Sequence, residues 1–335
     1  SGFLARQPHA GMTPTLSSIL KSPPLGLRFT ARRALHRFKP MALARLLFVT
    51  GKGGTGKSTV AAALAHALSL KRPTILADLD PRRTAAAMLL GAPMRDSAQV
   101  RVSSTLEVVA LTAHAELEAF MRRIVPVAAI SRRMLKSRTF GYVTAALPGL
   151  EAFLMLERLR IMAGDAALED RYVVVDAPAS GSALELLAVA RGVKGIAPVG
   201  SLNRIAHSVE SFLVDRERFG VVMTVTPEEL AIREALELSA ALREHLGIAT
   251  VAAIMNRTPA ALFSKADMHA IAGLGAHLAL AQRRERERLA ADRARKEFVR
   301  AELPMIELEM LYRPAMGRAE ITELAAVLAV EMPAR

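Results

Sequence analysis

The sequence predicts an α/β fold in which a doubly wound, mostly parallel sheet carries a helical insert. Short apolar runs recur along the chain, which is typical of strands buried on both faces of a parallel sheet. Helical stretches alternate with these runs, as the crossovers between parallel strands require. A glycine-rich turn joins the first apolar run to the first helix, and 52% of the 335 residues are hydrophobic, enough to bury a large core.

The predicted strands are short apolar segments that are bounded by turn or helix signals. The first of them ends in a glycine cluster, and the fourth, with the sequence Arg-Tyr-Val-Val-Val, is the clearest central strand of the chain. In chain order, the predicted strands are Arg45–Thr50, Thr74–Ala77, Val102–Leu111, Arg171–Val175, Val221–Thr226, Thr250–Met255 and Pro304–Leu311.

The predicted helices are alanine-rich or charged segments between the strands. Residues 113–164 are helical in composition, with breaks at Pro126 and Pro148. Gln282–Arg300 mixes basic and acidic residues, which indicates a solvated helix with ion pairs one turn apart, or a helix that contacts a partner through its basic residues. The other predicted helices are Ser58–Leu70, Pro227–Leu246 and Ala319–Val330.

Residues 1–40 are predicted to be a basic, disordered extension. The predicted α/β domain spans 41–335, and its helical subdomain is inserted at about 91–164. The segment holds seven basic residues and no acidic one, so the rest of the chain carries only +6 of the net charge of +13. Because the excess is confined to this segment, a nucleic-acid partner is not expected. Three interpretations stay open: an organellar transit peptide, a basic arm, and an extension upstream of a natural start at Met41.

The composition excludes several kinds of chemistry. With no cysteine, the chain has no disulfide, thiolate metal site, iron–sulfur cluster or thiol nucleophile. None of the eight histidines is spaced as a metal-binding pair on a helix. Apolar runs such as Val60–Leu70 are too short to form a transmembrane segment. We therefore expect a soluble, cytoplasmic protein, or an organellar one if residues 1–40 are a transit peptide.

The segment 51–59, Gly-Lys-Gly-Gly-Thr-Gly-Lys-Ser-Thr, lies between the first strand and the first helix. It satisfies the pattern G-x-x-x-x-G-K-[ST], in which inward-facing backbone N–H groups and the start of a helix surround phosphate groups. We expect Lys57 to bind the β- and γ-phosphates and Ser58 to coordinate Mg²⁺. The predicted nucleotide-binding residues of this loop are Gly51, Gly53, Gly54, Thr55, Gly56, Lys57, Ser58 and Thr59.

Three aspartates follow predicted strands, at the sheet edge where ligands of such folds bind. Asp176 ends the sequence Tyr-Val-Val-Val-Asp and is expected to hold the metal ion through water. Asp80 is the candidate that positions the attacking water, and Asp78 competes with it for this role. A structural alternative for Asp80, which precedes a proline, is that it caps the following helix.

These motifs resemble the ArsA and GET-pathway family of ATPases, within the group that includes the Min and Par proteins. Residues 51–59 resemble the GKGGxGKT/S-T loop of this deviant Walker A class, and Asp80-Pro81 resembles its STDPAH motif, with Arg82 and Arg83 in place of Ala-His. Residues 176–184 resemble the DTAPTGHTL motif and residues 147–151 the IPGIDE motif. Asn256 stands where the family has an asparagine that contacts adenine.

The resemblance implies a Mg²⁺-dependent ATPase that acts as a nucleotide-switched homodimer. In this family, the lysine that matches Lys52 reaches across the dimer interface and neutralises charge on the phosphoryl group in transfer. The resemblance also implies an apolar client, such as a hydrophobic helix, or a membrane-protein partner. Residues 91–164 contain several methionines that suit such a client, or that simply fill a core.

Some features of the family are missing from this chain. Without cysteine, the arsenite site and the inter-subunit zinc site of family members are excluded, and Ser182 replaces the family's histidine. The alternative function is a Par- or Min-like positioning ATPase that binds DNA or membrane. The Min type uses a basic amphipathic C-terminal helix, whereas Ile321–Met332 is apolar and acidic and has no lysine.

Overall fold

The computed structural model describes residues 43–95, 98–124, 149–164, 171–196, 199–260, 265–270 and 275–332. The basic segment 1–40 and the predicted breaks at Pro126 and Pro148 lie outside these residues. All of the described residues belong to one compact unit, Phe38–Arg335.

The strands of the described part of the chain form one eight-stranded sheet. Their bounds are β1 Leu46–Thr50, β2 Thr74–Asp78, β3 Gln99–Arg101, β4 Leu106–Ala110, β5 Tyr172–Asp176, β6 Phe219–Val225, β7 Thr250–Thr258 and β8 Met305–Glu309. The strand order is β3-β4-β2-β5-β1-β6-β7-β8, and every neighbouring pair except β3 and β4 is parallel. The predicted doubly wound, mostly parallel α/β fold is therefore confirmed.

Helices cover both faces of this sheet. Those that the structure describes are α1 Lys57–Ser69, α2 Thr84–Leu90, α3 Ala113–Ile124, α4 Leu150–Gly164, α5 Ser180–Ile196, α6 Ser201–Val214, α7 Glu229–Ala241, α8 Lys265–Ala270, α9 Gly275–Arg300 and α10 Arg318–Glu331. A π-helical turn, Leu242–Leu246, extends α7 as far as Gly247, which has a left-handed backbone. The predicted helix Pro227–Leu246 is thus one α-helix followed by a π-helical turn. No helix in the described ranges is long and apolar enough to cross a membrane.

The core consists of two layers, one on each face of the sheet. Successive residues of β1 show the alternation: Leu46 and Phe48 pack with α4, α5, α6 and α7, whereas Leu47 and Val49 pack with α1, α2 and α10. Helix α1 is buried along most of its length because alanines allow close approach to the sheet. This packing fixes the start of α1 against the ends of β1 and β5.

One segment differs from its prediction. The predicted strand Val102–Leu111 is shortened to β4, because residues 102–105 form a turn that joins β4 to β3, an antiparallel strand that was not predicted. Only β4 pairs in parallel with β2. The chain reverses because the Ser103 hydroxyl accepts hydrogen bonds from the N–H groups of Thr105 and Leu106, at 3.3 and 3.1 Å. Within the predicted insert 91–164, residues 99–110 therefore belong to the main sheet, and the described helical part consists of α3 and α4.

Candidate nucleotide-binding site

The phosphate-binding loop, residues 51–59, leaves the carboxyl end of β1, the strand that lies between β5 and β6. Gly51 has φ +151°, and a Cβ atom there would overlap the carbonyl oxygen of Thr224 in β6. On the other side, the N–H of Ser180 donates to the carbonyl of Gly51 at 3.1 Å. The loop therefore begins in a position where only glycine fits.

The loop then closes on the carbonyl oxygen of Lys52. This oxygen accepts hydrogen bonds from the Thr55 hydroxyl at 2.9 Å, from the Thr55 N–H at 3.4 Å and from Lys57 Nζ at 3.4 Å. Gly54 and Gly56 have φ of +87° and +92°, which turns the backbone inward before α1 begins. The ammonium group of Lys57 thus rests on the loop itself, where an incoming phosphate oxygen can replace the carbonyl.

Asn256, at the end of β7, touches the same loop. Its amide nitrogen donates to the carbonyl of Thr55 at 2.9 Å, and its amide oxygen accepts from the N–H of Arg257 at 3.0 Å. A Cβ at Gly56 would overlap this amide nitrogen. In the structure, Asn256 therefore stabilises the loop through the Thr55 carbonyl. Its contact with adenine stays a prediction.

Asp176 lies beside the loop at the end of β5, in register with Val49 of β1 and Asp78 of β2. It is 1% exposed, and neither of its carboxylate oxygens has a hydrogen-bond partner of normal geometry among the described residues. Burial raises the pKa of Asp176 to about 7; the nearby Asp78 and Asp80 also raise it, whereas Ser58 and Lys57 lower it. Among the described residues, Ser58 and Lys57 offset only part of the cost of charging this buried group.

A Mg²⁺ ion fits this donor set. Mg²⁺ takes oxygen ligands and usually keeps several waters, so one buried carboxylate, the Ser58 hydroxyl and phosphate oxygens suffice. No group of three or more His, Asp or Glu residues in the described ranges forms a complete metal cage. We infer that Ser58 and Asp176 would hold the ion only together with a bound nucleotide.

The two aspartates at the carboxyl end of β2, Asp78 and Asp80, differ in their surroundings. Asp78 is fully buried, and its carboxylate accepts hydrogen bonds from the N–H groups of Asp80 and Ala86, each at 3.0 Å. Burial raises the pKa of Asp78, although these hydrogen bonds lower it. Asp80 is partly exposed and accepts from the Arg82 N–H at 3.1 Å and from the Thr84 hydroxyl at 2.8 Å. Asp80 thus shapes the turn before α2, and its role toward water stays a prediction.

Thr59 faces away from the loop opening. Its hydroxyl lies 3.9 Å from the sulfur of Met88 in α2, within the range of a weak hydrogen bond to sulfur. Thr59 therefore contacts the neighbouring helix, and its predicted role in nucleotide binding has no support from this contact.

Two residues that contact the site, Arg83 and Glu234, were not predicted from the sequence. Arg83 is 4% exposed, has φ +52° and donates through Nη1 to the carbonyls of Asp78 and Leu111, at 2.7 and 3.2 Å. It thereby ties the end of β2 to the end of β4. In the sequence, this role of Arg83 was indicated only by the two arginines, Arg82 and Arg83, that stand where the family has Ala-His.

Glu234 of α7 is the second such residue. One of its oxygens lies 3.6 Å from Lys52 Nζ, and the other accepts a hydrogen bond from the Ser180 hydroxyl. Nothing in the sequence distinguishes this glutamate from the other glutamates of α7, because its partners are far away along the chain.

A glycine-rich loop between a central strand and a helix, with a buried aspartate at the end of the neighbouring strand, defines a P-loop nucleotide-binding domain. Comparison with known proteins narrows the class. Residues 44–198 match the model of the anion-transporting ATPase family, ArsA. Over this segment, the chain is similar to the anion-transporting ATPases of the ArsA family.

Two mycobacterial proteins are similar to this chain. They are ATPase BagA of Mycobacterium tuberculosis strain H37Rv and the Mycobacterium bovis protein named "Putative ATPase Mb3704". Each is 27% identical over 203 residues, which are 58% of this chain and 59% of the relative. The chain therefore matches about three fifths of the length of these curated relatives.

Proposed function

We propose that this protein is a Mg²⁺-dependent ATPase that works as a nucleotide-switched homodimer and couples ATP turnover to an apolar client or a membrane partner. The observation that carries the proposal is the pair of lysines in one phosphate-binding loop. Lys57 points into the loop, whereas Lys52 lies at its rim with 29% of its side chain exposed. These two positions support a role for Lys57 at the protein's own nucleotide and a role for Lys52 toward a second protomer.

The roles of the chain's residues follow from these positions. The backbone N–H groups of the loop and the start of α1 bind the phosphates, and Lys57 exchanges its contact with the loop carbonyl for a phosphate oxygen. Ser58 would hold Mg²⁺ directly and Asp176 would hold it through water, and the ion would supply positive charge that neutralises the phosphates. Asp80 orients the attacking water, for which correct placement matters more than basicity.

Lys52 acts on the nucleotide of the partner protomer. A phosphoryl group in transfer carries spread negative charge, and a cation supplied by a second chain stabilises it only when the two chains have closed. This arrangement links turnover to assembly, because neither site is complete in a single protomer.

The apolar client is supported by resemblance alone. Among the insert methionines that the structure describes, Met162 is buried in the core, whereas Met94 and Met155 are partly exposed. The side chain of Met121 and the whole of Met134 lie outside the description. The DNA- or membrane-positioning alternative has less support, since α10 carries Glu320, Glu323 and Glu331 and no lysine.

ATP turnover and nucleotide binding by the full chain test the proposal. We expect Lys57→Ala to lose ATP binding, and Lys52→Ala to bind ATP normally while turnover falls about 100-fold or more. Lys71→Ala, which changes an exposed lysine just beyond α1, is the control and should behave as wild type. Wild-type turnover by Lys52→Ala would show that the proposal is wrong.

A further inference from the structure

The contacts of Glu234 join three separate elements of the site. Lys52 belongs to the phosphate-binding loop, Ser180 begins α5 directly after the loop that follows Asp176, and Glu234 lies on α7. Each oxygen of the Glu234 carboxylate serves one partner: Oε2 faces the Lys52 ammonium at 3.6 Å, and Oε1 accepts from the Ser180 hydroxyl. A single carboxylate therefore contacts both the partly exposed Lys52 of the loop and the start of α5.

This contact determines where Lys52 can act. A lysine side chain that is ion-paired to its own α7 does not at the same time reach a nucleotide in another protomer. The pair is only partly buried, with 29% and 35% of the two side chains exposed, so it can break at small cost. An ion pair of this strength can form in the nucleotide-free state and break in the closed dimer.

The second partner connects this contact to the nucleotide. The N–H of Ser180 donates to the carbonyl of Gly51, and Asp176, the expected Mg²⁺ residue, lies four positions before it. A shift of the segment 176–180 on nucleotide binding would thus move the hydroxyl that orients Glu234. The carboxylate would then lose one of its two partners.

We propose that Glu234 is a positioning residue that keeps Lys52 on its own protomer in the nucleotide-free state and releases it when two protomers close around ATP. The inference rests on the proposed in-trans role of Lys52 and adds its regulation. Closure of a homodimer breaks two such pairs, one for each protomer. Weakening the pair should therefore favour the dimer.

The expected size follows from the exposure of the pair. Partly exposed ion pairs change an equilibrium by a factor of up to about five, so two of them predict a dimer dissociation constant about 2- to 25-fold lower when the pair is removed. The variant Glu234→Gln keeps the shape and the hydrogen-bond acceptor but removes the charge. Ser180→Ala, which removes only the orienting hydroxyl, should change the constant in the same direction by less.

Two measurements on the full chain test the inference. The first is sedimentation of wild type and variants with Mg²⁺ and a non-hydrolysable ATP analogue, which gives the dimer dissociation constant. The second is the labelling rate of Lys52 by an amine-reactive reagent in the nucleotide-free chain, followed by mass spectrometry. Glu237→Gln is the matched control: it lies one turn further along α7, is 69% exposed and pairs only with Arg233 among the described residues.

The inference predicts faster labelling of Lys52 and a tighter dimer for Glu234→Gln, with neither change in Glu237→Gln. Unchanged labelling of Lys52 in Glu234→Gln would overturn the inference, because the lysine would then not be held by the carboxylate. Faster labelling without a tighter dimer would also overturn it, since release of Lys52 would not limit closure. The Lys52→Ala turnover assay tests the underlying function separately, so the two failures are distinguishable.

Discussion

Replacing Asp176 with asparagine measures how the charge of this carboxylate changes the stability of the nucleotide-free protein. The carboxylate is buried and unpaired in the described structure, and its pKa is about 7, compared with 3.8 for an ordinary aspartate. Folding therefore takes up a proton at Asp176 in this range, and the contribution of this residue to the stability of the wild-type chain declines as pH rises from about 4 to about 7. The neutral asparagine of the variant is free of this dependence.

The magnitude follows from the displacement of the pKa. A displacement of roughly three units at about 1.36 kcal/mol each gives about 4 kcal/mol between the two ends of the range, and roughly 3 kcal/mol of this lies between pH 5 and pH 8. The asparagine amide also lacks a partner, but this cost is the same at every pH. The diagnostic quantity is therefore the difference in unfolding free energy between variant and wild type as a function of pH.

Urea unfolding with a metal chelator present measures this difference. Because the chain has no tryptophan, far-ultraviolet circular dichroism is the suitable signal. We expect the variant to gain about 3 kcal/mol relative to wild type between pH 5 and pH 8. Glu229→Gln, which neutralises an exposed carboxylate at the start of α7, should show no such trend. A pH-independent difference for Asp176→Asn would refute the reasoning.

Three further substitutions test the loop and its supports. Gly51→Ala places a Cβ against the Thr224 carbonyl, so we expect loss of ATP binding by calorimetry and a lower melting temperature. Arg83→Met removes the guanidinium donor from the Leu111 carbonyl and one of two donors from the Asp78 carbonyl, which keeps its hydrogen bond from the Leu111 N–H. The variant should therefore lose about 1–3 kcal/mol of unfolding free energy in urea titrations, and a loss below about 0.5 kcal/mol would contradict this. Asn256→Ala removes the hydrogen bond to the Thr55 carbonyl and should weaken ATP and GTP binding equally, because this bond supports the loop and not the base. Weakening of ATP binding alone would instead indicate the predicted adenine contact.

The fold was predictable from the sequence because its signals are local. Buried parallel strands such as β1 and β5 are continuous apolar runs, and the loop motif lies between a strand and a helix. The hairpin of β3 and β4 was not predicted, because β3 has only three residues and its turn is held by backbone hydrogen bonds to Leu106 together with the Ser103 hydroxyl. Such short edge strands carry too few residues for periodicity to show.

The site was predictable only in part, for a related reason. The phosphate-binding loop and Asp176 are fixed by their own sequence and by the end of a strand. The contacts of Lys52, Asn256 and Arg83 depend on tertiary packing: Asn256 meets Thr55 across 201 positions of the chain, and Arg83 meets Leu111 across 28. Residue type alone does not specify such partners.

The in-trans role of Lys52 is tested most directly by mixing two inactive variants. Lys52→Ala keeps a complete phosphate-binding loop but lacks the lysine that the partner needs, and Lys57→Ala has the opposite defect. In an equal mixture, half of the dimers combine the two chains and each has one complete site, so we predict recovery of up to about a quarter of wild-type ATP turnover. Turnover no higher than the sum of the two separate variants would contradict the account.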